Sequence, residues 1–179
     1  MPFMMNNMAG MLSNMNNASD LGQTDNNFDW FARLSYHTDG GTIWYAGAAR
    51  KTRSPSYQER YLWIPLEATG GLADGKTYVG NPDLNPEVAH EVELGFDYDS
   101  GDFSFYPRVF YKEVSDFIQG TPAKSMVVRN FAQMMANMGM GRPDPLMFDN
   151  VDATFYGFDA EARYELAAHL TFRAVDSVV

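Results

Sequence analysis

The stretch "FAQMMANMGMGRPDPLMF", residues 131–148, holds Met134, Met135, Met138, Met140 and Met147, and a second group, Met1, Met4, Met5, Met8, Met11 and Met15, opens the chain. With Met126 these are all twelve methionines of the 179 residues. Thioether sulfur is a soft, uncharged donor that selects Cu(I) over hard cations. Met134, Met135, Met138, Met140 and Met147, with Met4, Met5 and Met8, are therefore the candidate metal ligands. The competing role of methionine is to fill irregular gaps in an apolar core. It competes at both groups, because Met4, Met8, Met11 and Met15 repeat at helical spacing and fit the buried stripe of a short helix. In the second group Gly139, Gly141, Pro143 and Pro145 break any long helix, and no methionine falls where a strand is expected.

Other chemistry is sparse. His37, His90 and His169 are scattered and pair closely with no methionine in sequence. Asp97, Asp99 and Asp102 beside Gly101 lack the full spacing and terminal Glu of a calcium loop and read as a tight turn. There is no G-x-S-x-G, H-E-x-x-H or P-loop, so no catalytic residue and no tightly bound cofactor are expected, and the protein does not read as an enzyme. With 13 basic residues against 23 acidic ones and a net charge of −10, the chain offers no footprint for nucleic acid. Cysteine is absent, which removes disulfides and thiolate metal sites. No run approaches the roughly 20 apolar residues of a membrane helix. No Lys or Arg precedes Arg33, so the start does not read as a signal peptide, and either the chain is not exported or its true N-terminus lies upstream.

The elements that must position these residues are strands. In "EVAHEVELGFDYDSG", Val88, Val92, Leu94, Phe96 and Tyr98 share one parity and Glu87, Glu91, Glu93 and Asp97 the other, the period-2 signature of a strand with an apolar and an acidic face. A second strand follows the turn "DSGD", with Phe103, Phe105, Val109 and Tyr111 alternating against Ser104, Arg108 and Lys112. Residues 27–37 and 42–51 form another pair across "TDGG", and 151–166 and 169–174 a third across a turn at about Ala167 to His169. Short turns alternate with links of more than thirty residues, 52–86 and 119–149. In an up-and-down antiparallel meander this puts every turn at one end and every long link at the other, as in a fragment of a transmembrane outer-membrane β-barrel. Rings at strand ends, such as Trp30, Tyr36, Trp44, Tyr98, Phe103 and Tyr164, fit interfacial girdles; the alternative is that they fill a soluble β core. Glu91, Glu93, Asp159 and Glu161 would then form, with Arg108 and Arg163, a solvated wall.

Between the second and third strands come Arg53, Pro55, Ser56 and Glu59, then Gly80, Asn81, Pro82, Leu84, Pro86 and Glu87, and near the end "YGFDAEARYEL". In these motifs the chain resembles the late barrel of TonB-dependent outer-membrane receptors over about residues 28–172, and "ERYLWIPLEATGGLADGKTYVGN" is most like the copper branch. The resemblance implies one partial barrel over 1–179 in the bacterial outer membrane, with extracellular loops at 1–26, 52–86 and 119–149. It implies energised uptake of a metal or metal complex, copper foremost, with outer-membrane lipid as surroundings and the TonB complex as a partner through a plug. Plug, early strands and final strand find no counterpart here, so a piece of a receptor is expected. Ferric-siderophore or cobalamin uptake, with Tyr57, Tyr61, Trp63 and Tyr78 as ligand contacts, is the alternative, and a surface adhesin or phage-docking module the rival of another class.

Overall fold

The computed structural model describes residues 2–67, 75–167 and 170–179. In chain order the elements are α1 (Pro2–Ala18), β1 (Trp30–His37), β2 (Thr42–Arg53), α2 (Tyr57–Tyr61), β3 (Leu66–Glu67), β4 (Thr77–Val79), β5 (Glu87–Asp99), β6 (Phe103–Pro122), α3 (Met126–Asn137), β7 (Leu146–Ala167) and β8 (Leu170–Val178). The strands form one sheet in the order β1-β2-β5-β6-β7-β4-β3, with β8 also on β7.

The three expected hairpins are present. β1 runs against β2 from Trp30 opposite Arg50 to His37 opposite Ile43. β5 runs against β6 from Val88 opposite Ser115 to Asp99 opposite Ser104. β8 runs against β7 with Phe158 opposite Val178 and Tyr164 opposite Phe172, then a register shift between Glu165 and Ala167. The turn expected at 167–169 lies partly outside the described residues. Gly101 closes the second hairpin at φ +80°, a left-handed conformation that a side chain would resist. Asp97, Asp99 and Asp102 thus belong to a strand end and a turn.

The strands on either side of the third long link are longer than expected. β6 continues to Pro122 and β7 begins at Leu146, so Met147, expected in a loop, lies in a strand. Its backbone is paired by β4, Tyr78 opposite Leu146 and Val79 opposite Met147, and this pairing is parallel. A three-residue strand with a partner almost seventy residues away leaves no local pattern to read. The segments 1–26, 52–86 and 119–149 accordingly carry structure of their own: α1, then α2 with β3 and β4, then α3.

The chain divides into two compact units. The first comprises Met1–Asn27, Arg53–Glu87 and Asp116–Val151; the second comprises Phe28–Thr52, Val88–Ser115 and Asp152–Val179. In the second unit, residues opposite one another across a hairpin share a face. Val92 sits opposite Tyr111 and Leu94 opposite Val109, and all four are exposed. Glu93 and Arg108 lie on the other face, where Arg108 bonds Asp159 and Glu93, Arg173 bonds Glu161 at 2.7 and 2.9 Å, and Ser177 donates to Asp159 at 2.6 Å. Arg163 pairs with Glu165 at 3.0 Å, so the charged wall is knit by partners within the sheet. Aliphatic groups are bare and charged groups meet one another. A water-soluble sheet places them the other way, and a sheet in lipid places them so.

Candidate functional site

The first unit is built around apolar contacts that the loop helices supply. Phe131 of α3 is only 2% exposed and stands with Leu12, Val79, Ala123 and Val128 in one buried cluster. Ser125 caps α3 by accepting from the Val128 N–H. After Asn137 the chain turns out through Gly139 at φ +75°, with the Met138 and Met140 N–H groups donating to the Met135 carbonyl. The glycines and prolines of this stretch thus end a helix of twelve residues rather than prevent one. A second cluster joins Tyr78, Leu84, Ile118 and Phe148, with the Tyr78 and Phe148 rings stacked 5.1 Å apart.

Five of the eight candidate ligands converge on the first cluster: Met5 and Met8 from α1, Met134 and Met135 from α3, and Met147 from β7 all pack against it. Met4, Met138 and Met140 are exposed, although Met140 joins Met135 in lining a pocket of about 330 Å³ with Thr77 and Arg142. The stripe of α1 that faces the cluster differs from the one anticipated. Met5, Met8, Ala9 and Leu12 turn inward, whereas Met4, Met11 and Met15 are exposed, because Leu12 docks on Phe131 and Val79 and rotates the helix about that anchor. Leu12 and Phe131 were not singled out from sequence; the apolar spacing Val128, Phe131, Ala132, Met135 was the available signal.

Next to the clusters lies a cavity of about 180 Å³ whose lining includes Met15, Trp63, Val79, Asp83, Val128 and Met147. His37 and His90 stand in β1 and β5 and line none of these spaces, and His169 lies outside the described residues. Among the described residues no group of three His, Cys, Asp or Glu side chains is placed to hold a metal ion.

Two of the three motif segments that carry the family resemblance are brought together as a polar frame. Ser56 and Glu59 form a reciprocal capping box on α2. Arg53 donates to Glu59 at 2.9 Å and to Glu87 at 2.7 Å, and Glu87 accepts the Ile118 N–H at 2.9 Å. The Gly80 N–H donates to the Leu62 carbonyl at 2.7 Å and the Asn81 N–H to that of Glu59 at 2.8 Å. A Cβ on Gly80 would come within 2.7 Å of the Leu62 nitrogen, so the frame requires glycine there. Burial pushes the Glu59 carboxyl up, but the bonds from Arg53 and Ser56 outweigh it and leave it below its ordinary value.

Arg60, 6% exposed, is held by Asp25 at 2.7 and 2.9 Å and donates to the Leu84 carbonyl. Removing either partner of a buried pair leaves an uncompensated charge, typically costing about 3–5 kcal/mol, whereas replacing both by apolar residues is often neutral. Asp25→Ala is therefore expected to loosen this unit more than the Asp25→Ala, Arg60→Met double variant, read as protease susceptibility of residues 1–27 and 53–87. Hydrogen bonding to Arg60 holds the Asp25 carboxyl below the usual carboxylate range. The pair's contribution is then complete above that range and is lost as pH falls through the lowered value. The Asp25→Ala variant should show no such loss.

A sheet with charge on one face and bare aliphatic and aromatic side chains on the other is a stretch of transmembrane β-barrel wall. The chain belongs to the TonB-dependent receptor family: the family model described as TonB dependent receptor-like, beta-barrel, matches residues 11–178. Proteins of this family reside in the bacterial outer membrane, and so does this one. Among solved structures, the siderophore receptor PirA from Pseudomonas aeruginosa is similar at 18% identity and a TM-score of 0.64, over 83% of this chain and 27% of that one. The copper transporter OprC is similar at 21% identity and a TM-score of 0.57, over 83% of this chain and 19% of that one. A mutant of the ferric enterobactin receptor PfeA from Pseudomonas aeruginosa gives 20% and 0.54, over 81% and 21%. The chain thus spans about a quarter or less of the length of these receptors. No curated protein sequence matches it.

Proposed function

We propose that the chain is the late-barrel part of an outer-membrane receptor for energised uptake of a metal or metal complex, and that its cargo is copper. In this reading residues 1–26, 52–86 and 119–149 are extracellular loops, and the TonB complex is the partner that energises transport through the plug. The observation that carries it is the gathering of Met5, Met8, Met134, Met135 and Met147 from three separate elements into one patch of soft donors. Likeness to a copper transporter supports the same choice. Ferric-siderophore uptake is the second reading, favoured by the exposed rings of Tyr57 and Trp63 and by the likeness to PirA.

Replacing Met134, Met135, Met138, Met140 and Met147 together by Leu keeps apolar bulk and removes sulfur. In the intact receptor that contains this chain, Cu(I) affinity is expected to fall by at least about tenfold, equivalent to about 1.4 kcal/mol, while the folded yield persists. Unchanged Cu(I) affinity and stoichiometry in calorimetry would make these methionines packing alone and move the siderophore reading ahead.

A further inference from the structure

We propose that the cavity beside α1 is a capture site for one soft monovalent cation, Cu(I), held by the thioethers of Met15 and Met147 against the indole of Trp63. The inference rests on the copper reading and deepens it by locating a site that borders the patch around Phe131 and shares Met147 with it.

Each of the three groups is delivered by a different element. Met15 sits near the end of α1, where its carbonyl accepts the Ser19 hydroxyl at 3.2 Å. Met147 is fixed in β7 by pairing opposite Val79. Trp63 lies between Leu62, whose carbonyl accepts the Gly80 N–H, and Ile64, which packs on the apolar cluster. All three line the same space of about 180 Å³, ample for a desolvated ion. Met15 is 48% exposed, so packing does not account for sulfur at that position.

The lining favours a soft cation over the other possible guests. Two thioethers supply neutral donors that prefer Cu(I), and an indole face attracts a cation. Asp83 on the same lining offsets a single positive charge. A hard divalent ion asks for six or more oxygen ligands and favours several carboxylates, whereas Asp83 is the one carboxylate on a lining whose other polar side chains are the neutral Asn16, Ser19, Asn81 and Ser125. A wholly apolar guest would have no use for that carboxylate.

The test uses the intact receptor in detergent, with Ag(I) as a redox-inert probe and Cu(I) under anaerobic competition with a chromophoric chelator. The Met15→Leu, Met147→Leu double variant is expected to lose one bound equivalent of either ion, and Met11→Leu, outside the cavity, to lose none. Trp63→Phe is expected to abolish part of the metal-induced tryptophan quenching and to weaken binding about fivefold. Where the double variant folds poorly, Met15→Leu alone decides, because that side chain is half exposed. If the parent binds both ions while the variants keep its stoichiometry, affinity and quenching, the cavity site is overturned and the copper reading stands. If the parent binds neither ion, the copper reading fails and this inference fails with it.

Discussion

Leu94→Arg is expected to abolish assembly of the intact receptor in the outer membrane, while Glu93→Gln, one residue away, is expected to be mild. Leu94 is 52% exposed on the bare face of β5, opposite Val109 and beside the Val92 and Tyr111 pair. A cationic side chain on the lipid face near mid-membrane costs roughly 2–4 kcal/mol. Glu93 lies on the charged face, where Arg108 keeps Asp159 as a second partner when Glu93 loses its charge. The yield of folded, heat-modifiable receptor measures both. Equal tolerance of the two substitutions would count against the assignment of faces.

Phe131→Ala is the second large effect. Its ring is the largest side chain buried almost completely among the described residues, at the meeting of α1, α3 and β4. Emptying such a site typically costs about 3–5 kcal/mol, whereas Met134→Leu on the rim of the same cluster, a swap of similar volume, should cost less than about 1.5 kcal/mol. The membrane-spanning strands do not depend on this ring, so the loss should appear as proteolysis within α1 and α3 while the barrel remains assembled. Parent-like resistance of Phe131→Ala would mean that something other than the cluster holds the helices.

How much of this was legible in the sequence depended on how local each signal is. The alternation of Val92, Leu94 and Phe96 with Glu91, Glu93 and Asp97 is a property of neighbours two apart, and β5 and its hairpin followed from it directly. α3 was obscured because its short helical run sits against Gly139, Gly141, Pro143 and Pro145, which describe the helix's end and not its interior. α1 was anticipated as a possibility but with its buried stripe misplaced, since Met4, Met5, Met8 and Met11 are chemically alike and only Leu12, through its contact with Phe131, chooses the face. β4 could not be seen at all: three residues paired across a gap of nearly seventy carry no periodicity. The motifs at Arg53–Glu59 and Gly80–Glu87 pointed to the family, but their joint work in binding α2 to the start of β5 becomes evident only where Arg53 touches both carboxylates.

The first unit's assembly from three separated stretches bears on how fast it forms and how it can be exchanged. Asp25 meets Arg60, Thr77 meets Arg142 and Asn85 meets Asn150, separations of 35, 65 and 65 residues, whereas each hairpin joins neighbours in the chain. Loop-closure entropy delays such distant contacts, so the hairpins should zip early and this unit should settle late, as a slow phase after the strands have paired. The same wiring sets the unit of swapping among related receptors. A transplanted 119–149 segment would arrive without Leu12 to cover Phe131, without Val79 to pair Met147 and without Thr77 to receive Arg142. Grafting a new specificity onto this scaffold therefore requires moving all three stretches together, and chimeras that exchange one of them should show the first unit unravelled.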